Sequence, residues 1–232
     1  MFSQQKQWFI ESLIDSHKGT NKKECNVLYN DTRDFFKNVT QFDFTPSSEK
    51  VFYDEYGYGY CGLAEMQIIK NNYPPVFLID NHDKALMVLY ALYQSAPIDI
   101  VHIDAHRDDA IFPHLIEGGD ITYDAVLRLL QHTKVSDYLD AGQKIGLVRD
   151  VYSLTQSFEF ETYIVPEKQF VLNLDIDIFG DEGAAVPLET RIKTVLALWN
   201  DAYAVIIATS PGFIKQDEAC YLIEKLMAKM SK

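Results

Sequence analysis

The chain has 232 residues, and its 47% hydrophobic content can fill one substantial core, so we expect a single domain over residues 1–232. With 34 acidic and 21 basic side chains, the formal net charge is -13. This charge argues against binding to nucleic acid or anionic lipid and favours cationic partners or metal ions.

Neither a membrane anchor nor a secretory signal is expected. No apolar run approaches the roughly 20 residues that cross a bilayer, and the polar start MFSQQKQW lacks the pattern of a signal peptide. The three cysteines, Cys25, Cys61 and Cys220, are far apart and form no CxxC pair, so they indicate neither a disulfide framework nor a thiolate zinc site. We therefore expect a cytoplasmic protein, either a monomer or a homo-oligomer.

The order of apolar segments along the chain predicts the fold class. Residues 1–50 predict one amphipathic helix at 4–15 and otherwise an N-terminal extension without clear periodicity. From about residue 75, short β-branched runs alternate with helical patterns. The predicted strands are 76–80, 98–104, 144–148, 170–177 and 204–209, and the predicted helices are 84–94, 122–132, 188–202 and 216–230. This order predicts an α/β fold: a three-layer α/β/α sandwich with a mainly parallel central sheet.

Three polar clusters directly follow predicted strands. They are residues 80–83 (DNHD), residues 104–108 (DAHRD) and residues 175–177 (DID). Open α/β sheets bind their ligands at the carboxyl ends of strands, and residues two apart in an extended segment share a side. The side chains expected to converge are His82, Asp104, His106, Asp108, Asp175 and Asp177.

Carboxylates clustered at the end of a buried strand require compensating charge. The four aspartates carry -4 and two divalent ions carry +4, whereas Arg107 is the one basic residue within the DAHRD cluster and alternates to the other side. Carboxylate oxygen and imidazole nitrogen without thiolate suit Mn²⁺ best, with Fe²⁺, Co²⁺ or Zn²⁺ as substitutes. The expected cofactor is therefore a pair of Mn²⁺ ions.

Each cluster also has an ordinary structural interpretation. A histidine that follows a strand, such as His82, more often caps a helix or makes a hydrogen bond. The string DAHRD alone could be a solvated loop, and DID alone is a weaker signal still. The three clusters together, in this order and at strand ends, favour the metal centre. The segment at 56–60 (YGYGY) is a packed turn or a loop that borders a ligand cleft.

The ligand order resembles that of the ureohydrolase superfamily of arginases and agmatinases, in which Gly-Asp-His is followed by Asp-Ala-His-x-Asp and Asp-x-Asp. The DAHRD string matches the central motif without substitution. The resemblance implies an arginase-like fold, a binuclear manganese centre held by the six residues above, and hydrolysis of guanidino groups. It also implies that His102, in the strand before the central motif, is a buried structural residue and not a ligand.

Departures from the family pattern indicate a particular branch. The first motif reads DNHD, and the Asn-x-x-His-Gly segment that helps arginases to bind free arginine is missing. Together with DAHRD, LDIDIF and the Thr-Ser-Pro at 209–211, these features resemble peptide arginases, which convert arginine side chains in ribosomally made precursor peptides to ornithine and urea. The implied partner is an arginine-containing precursor peptide.

Roles in catalysis follow from the resemblance and from residue chemistry. Asp108 is expected to bind metal and to pass a proton from the attacking hydroxide to the leaving group. A separate proton shuttle is expected at His114, which follows the central motif, with His132 as the weaker candidate. A guanidinium requires carboxylates facing its planar fork, and the candidates after strand ends are Asp181, Glu182 and Glu218, each of which could equally be a solvated acid.

Two alternatives remain open at this point. The first is a hydrolase of a small free guanidine, of the agmatinase or arginase type. The second is a metal-binding protein of the same fold without catalytic activity.

Overall fold

A seven-stranded, mostly parallel β-sheet forms the centre of the protein. The computed structural model describes residues 4–16, 30, 35–70, 74–114 and 120–230. Its strands are β1 (Lys37–Asn38), β2 (Pro46–Tyr53), β3 (Gly59–Leu63), β4 (Gln67–Ile69), β5 (Val76–Ile79), β6 (Ile98–Ile103), β7 (Val148–Leu154), β8 (Phe170–Asp175) and β9 (Ala204–Ala208). The central sheet has the order β1-β4-β5-β9-β8-β6-β7, and β2 pairs with β3 in a separate hairpin. Within the central sheet β4 is antiparallel to β5, and the other neighbouring pairs are parallel.

Helices cover both faces of the sheet. They are α1 (Gln4–Ser16), α2 (Ala85–Leu92), α3 (Tyr123–Leu130), α4 (Tyr138–Ile145), α5 (Ser157–Thr162), α6 (Leu188–Asp201) and α7 (Gln216–Met230). One apolar core contains side chains of α1, α6 and α7, and the other contains side chains of α2, α3 and α4. Among the described helices, none combines the length and the apolarity that a bilayer crossing requires.

Alternation along the central strands explains why they are apolar throughout. In β5, Val76 and Leu78 belong to one core, whereas Phe77 and Ile79 belong to the other. A strand buried on both faces needs apolar residues at every position, which is why β5 and β9 read as unbroken apolar runs. This arrangement is compatible with the predicted three-layer α/β/α sandwich.

The β2–β3 hairpin lies beside the carboxyl end of β5. The Asn81 Nδ2 donates to the Val51 carbonyl at 2.9 Å, which joins the hairpin to the loop after β5. A Cβ at Gly62 would lie 2.2 Å from Asp80 Oδ2 and 2.7 Å from Val51 Cγ1, so only glycine permits this close approach. The 56–60 segment forms the hairpin tip and the start of β3, with Tyr56 and Tyr58 exposed.

Several sequence predictions of elements are confirmed, and one is wrong. Helix α1 and the strands and helices after residue 75 occur within a few residues of the predicted bounds, except for the strand predicted at 144–148. There α4 continues to Ile145, Gly146 ends it with a left-handed φ of 85°, and β7 begins only at Val148. The hairpin, β1, β4, α4 and α5 were not predicted. Cys25 lies outside the described residues.

Candidate metal centre

The three polar clusters meet at one edge of the central sheet. They follow β5, β6 and β8, which lie with β9 in the order β5-β9-β8-β6, all parallel. Neighbouring strands are about 4.8 Å apart, so two strands separate the ends of β5 and β6. The loop after β5 therefore crosses the ends of β9 and β8, and this brings His82 to the cluster after β6.

The same local turn shapes the second and third clusters. Strand β6 ends at Ile103, and the Asp104 Oδ1 accepts the backbone N–H of His106 at 2.6 Å. Strand β8 ends at Asp175, whose Oδ1 accepts the backbone N–H of Asp177 at 2.9 Å. An aspartate that binds the N–H two residues ahead folds the chain into a tight turn. The side chains therefore converge through these turns, and not through the extended strand geometry that the sequence pattern predicts.

The first half of the cluster surrounds the Nδ1 atom of His82. This nitrogen lies 3.0 Å from Asp104 Oδ2, 3.3 Å from Asp108 Oδ2 and 3.5 Å from Asp175 Oδ2. His82 and Asp104 have exposed fractions of 2% and 1%. A buried imidazole nitrogen is thus enclosed by oxygens of three separate carboxylates.

The second half surrounds the Nδ1 atom of His106. This nitrogen lies 3.0 Å from Asp177 Oδ2 and 3.3 Å from Asp104 Oδ1. On the other side of the ring, His106 Nε2 lies 2.6 Å from Glu182 Oε2. Because Nε2–H donates to this carboxylate, the Nδ1 lone pair of a neutral His106 is free to face the cluster.

Asp104 joins the two halves, since Oδ2 faces His82 and Oδ1 faces His106. Asp175 is held by the Ser210 hydroxyl, which donates to Asp175 Oδ2. Asp108 and Ser210 have positive φ values, 49° and 45°, a strained conformation for residues other than glycine. From these uncommon backbone conformations, Asp108 contacts His82 and Ser210 contacts Asp175.

The pKa shifts are those of buried carboxylates whose negative charge is not fully balanced by nearby positive charge. Burial raises the pKa of Asp177 to about 6, and burial together with the neighbouring Asp177 and Asp104 raises the pKa of Asp175 well above its ordinary value. Hydrogen bonds to Asp104 and Asp177 raise the pKa of His106 to about 11. Burial alone lowers the pKa of His82, but the carboxylates of Asp175, Asp104 and Asp108 raise it well above its usual range. Without metal, protons shared by these acids and imidazoles supply the positive charge.

The donor atoms fit metal ions. One N–H on His82 Nδ1 cannot satisfy three carboxylate oxygens within 3.5 Å, whereas a cation among them could. Two described groups offer ligand atoms within 4.8 Å of one another: His82, His102 and Asp104 form the first, and Asp104, His106 and Asp177 form the second. All of these donors are oxygen or nitrogen, which suits a hard or borderline divalent ion.

A cavity of about 260 Å³ opens over the cluster. Its lining residues are Asn81, His82, Asp104, His106, Arg107, Asp108, Asp109, Ala110, Val135, Ser136, Asp175, Ser210 and Phe213. The ring of Phe213 packs 4.8 Å from His106 on one side and 4.8 Å from Phe52 of the hairpin on the other. The hairpin therefore supports the cavity wall through Phe52, and its aromatic tip at 56–60 does not belong to the described lining.

A larger groove, of about 720 Å³, lies elsewhere, between residues 39–44 and α7. Its described lining is mainly apolar and includes one acidic side chain, Glu224, and one basic side chain, Lys225. No described cluster of potential metal ligands lies there. The smaller cavity is the functional candidate because its described lining includes residues of the carboxylate cluster.

All six residues predicted as metal ligands come together, but the other predicted site residues are placed differently. His114 packs against Phe112 and His132, with ring centroids 5.2 Å apart in both cases, and neither histidine belongs to the described lining of the cavity. The Arg107 guanidinium donates to Glu159 at 2.9 Å, so it does not neutralise the cluster.

The three acids proposed to bind guanidinium also differ in position. Glu182 reaches the cluster through His106. Burial lowers the pKa of Lys6, and the negative charges of Glu218 and Asp181 oppose this shift, which places both acids near Lys6. The Lys6 ammonium donates to the Phe179 carbonyl at 3.3 Å, behind the turn that carries Asp177. Asp181 and Glu218 are not part of the described cavity lining.

Sequence reasoning missed one contributor to the centre, Ser210, and did not predict the contact that a second residue makes. Ser210 follows β9 at the same edge of the sheet, so the rule that located the aspartates also applies to it. Glu182 was predicted at the site but not as a hydrogen-bond partner of His106. No sequence signal distinguishes it from any other acid that follows a strand.

Comparisons with known proteins identify no relative: no family model, no curated protein and no solved structure matches the chain. The ureohydrolase resemblance therefore remains a prediction from the motifs.

Proposed function

We propose that the protein is a binuclear metal hydrolase of guanidino groups with an arginase-like fold, which converts peptidyl arginine to ornithine and releases urea. The observation that carries this proposal is the position of Asp104 between two histidines. Its Oδ2 lies 3.0 Å from His82 Nδ1, and its Oδ1 lies 3.3 Å from His106 Nδ1. A carboxylate placed in this way could offer one oxygen to each of two adjacent ions.

The proposed cofactor is two Mn²⁺ ions, with Fe²⁺, Co²⁺ or Zn²⁺ as substitutes. His82, Asp104, Asp108 and Asp175 would hold one ion, and Asp104, His106 and Asp177 would hold the other, in keeping with the measured separations. When bound, such a pair of ions supplies hydroxide at neutral pH and stabilises negative charge that develops in the transition state.

Asp108 is the proposed proton carrier because it belongs to the cluster and also lines the cavity. In the reaction, the oxygen of water bonds to the guanidinium carbon, and the bond from that carbon to the side-chain nitrogen breaks. The carboxylate of Asp108 accepts the proton of the attacking oxygen and returns it to the departing amine. The second water proton also moves to the departing nitrogen as the urea carbonyl forms, so the products are neutral urea and an ornithine side chain with a protonated amine, and atoms and charge balance.

Recognition of the guanidinium is assigned to acids near the cavity. Glu182 uses one carboxylate oxygen for His106 and has a second oxygen for the planar fork of the substrate. Asp109, on the cavity lining, offers a further carboxylate. The positions of Asp181 and Glu218 near Lys6 make them weaker candidates for this contact.

A peptide substrate is favoured by the size of the cavity and by charge. Sites for whole drug-sized ligands occupy roughly 300–1,000 Å³. The cavity of about 260 Å³ is smaller, and suits one inserted side chain whose backbone stays outside. The net charge of -13 attracts a basic peptide over long range.

Incubation of the Mn²⁺-loaded protein with substrates in parallel tests this function. We expect urea from an N-acetylated, C-amidated arginine peptide, together with loss of CH2N2 from the peptide mass, and much slower release from free arginine and agmatine. Chelator treatment and the Asp104→Asn variant are the controls and should both stop the release. Urea from free guanidines alone would assign the protein to the small-guanidine class. Two bound ions without urea from any substrate would indicate a catalytically silent metal-binding protein.

A further inference from the structure

A third histidine lies directly behind the proposed metal centre. His102, on β6, is completely buried, and its Nε2 lies 3.5 Å from Asp104 Oδ2. Nε2 makes no hydrogen bond with any described residue. Residues 102 and 104 are two apart along the chain, which places both side chains on the same side of the sheet edge. An unpartnered nitrogen of this kind is either a ligand for a metal or a donor waiting for an acceptor.

Two further buried side chains hold the opposite nitrogen of the ring. The Asn173 Nδ2 donates to the Tyr138 hydroxyl oxygen at 2.6 Å, and this hydroxyl lies 3.2 Å from His102 Nδ1. Asn173, Tyr138 and His102 each have an exposed fraction of 0%. Asn173, Tyr138 and His102 form a buried chain of polar contacts, and Asp104 Oδ2 lies 3.5 Å beyond its end at His102 Nε2.

These contacts favour one tautomer of His102. Because the Tyr138 oxygen accepts from the amide of Asn173, its O–H is available to donate to Nδ1 of His102, which lies 3.2 Å away. With Tyr138 as the donor, Nδ1 carries no proton, and the proton of the neutral ring lies on Nε2, which faces Asp104. A protonated Nε2 cannot bind a metal ion, but it can donate a hydrogen bond to a carboxylate.

We propose that His102 is a positioning residue that donates from Nε2 to Asp104 Oδ2 and so orients this carboxylate between the two metal sites. This inference rests on the proposed metal centre. Rotation of the Asp104 carboxylate would change which oxygen faces His82 and which faces His106. Loss of a hydrogen-bond partner of a metal ligand typically weakens metal binding about 10–100-fold.

Nuclear magnetic resonance of ¹⁵N-histidine-labelled protein loaded with ¹¹³Cd²⁺ tests the tautomer directly. We expect ¹¹³Cd coupling at Nδ1 of His82 and His106. For His102 we expect a protonated Nε2, an unprotonated Nδ1 and no coupling. Coupling at His102 Nε2, or a proton on its Nδ1, would overturn the inference while leaving the metal centre in place. Absence of coupling at both His82 and His106 would instead reject the proposed metal centre, and with it the role of His102.

Manganese affinity of three variants gives a second, independent test. His102→Gln retains a donor at the position of Nε2 and should bind Mn²⁺ within a few-fold of the unmodified protein. His102→Leu should bind about 10–100-fold more weakly yet still take up both ions. Tyr138→Phe frees the His102 ring to adopt the other tautomer. Its Mn²⁺ affinity should lie between those of His102→Gln and His102→Leu. Loss of one whole ion in His102→Leu, or unchanged affinity in that variant with native circular dichroism, would each contradict the positioning role.

Discussion

Asp104→Asn is expected to leave the protein with almost no bound metal and to reduce urea release by about 10³-fold or more, because a metal Lewis acid contributes several kcal/mol to the transition state. The reason is geometric, because each oxygen of Asp104 faces a different proposed metal site: Oδ2 lies near His82 and Oδ1 lies near His106. Elemental analysis of the purified protein measures the metal content, and the urea assay measures the activity.

Two comparison variants make this prediction specific. Asp177→Asn should remove only the ion on the His106 side, because Asp177 Oδ2 lies 3.0 Å from His106 Nδ1, whereas the oxygens around His82 belong to other aspartates. Asp150→Asn removes an acid of β7 whose side chain is 60% exposed and should change neither metal content nor activity. Retention of two ions by Asp104→Asn would contradict the assignment of the shared ligand.

The metal-free protein is expected to lose stability as the pH rises from about 4 through 6, and added Mn²⁺ is expected to reverse this trend. The pKa of Asp177 rises to about 6 on folding, and that of Asp175 rises well above its ordinary value, chiefly through burial. An acid with a raised pKa contributes its stability in full below its ordinary pKa of about 4, and the contribution is lost as the pH passes the raised pKa. A tenfold difference in proton affinity between the folded and unfolded states corresponds to about 1.4 kcal/mol of folding free energy.

Above pH 7, deprotonation of His106 should further lower the stability of the metal-free protein as the pH rises. Its pKa of about 11 means that stability gained by its protonation is complete below about 6.5 and is lost as the pH approaches 11. Metal ions replace these protons, so Mn²⁺ should bind with proton release and more tightly at higher pH. Ligand binding to the folded state alone stabilises by about 2.7 kcal/mol at a concentration 100 times the Kd.

Thermal unfolding in chelator and in Mn²⁺ across this pH range measures both effects. Asp175→Asn is the matched variant, because an amide imitates the protonated acid in shape and charge. Metal-free Asp175→Asn should show a flatter pH profile than the unmodified protein, should be the more stable of the two at pH 7, and should gain little from Mn²⁺. Equal pH profiles for the two metal-free proteins would show that this carboxylate is not strained by its neighbours.

Much of the central sheet was predictable because burial on both faces leaves an unmistakable pattern. Strand β9 is apolar at every position, and the helix that follows, α7, has apolar residues at helical spacing. The strand prediction at 144–148 was wrong because this segment contains a short apolar run that is typical of a strand. Gly146 is the end of helix α4 there, and a left-handed glycine cannot be distinguished by its pattern from one in a turn between strands.

The convergence of the six polar side chains was predictable for a different reason, which is that parallel strands bring their carboxyl ends to one edge. What the sequence could not provide is the reach of His82 across two intervening strands, because strand order depends on tertiary packing. The same holds for Glu182 beside His106 and for Tyr138 beside His102, which are 76 and 36 residues apart in the chain. Contacts of this kind leave no periodic signal.

Crystals of the Mn²⁺-loaded protein, with diffraction data collected at the manganese absorption edge, test the two-metal centre most directly. We expect two anomalous peaks about 3.5–4 Å apart, one bound by His82 Nδ1 and the other by His106 Nδ1, with Asp104 bound to both. A single peak, or two peaks that do not contact both histidines, would contradict the proposed centre.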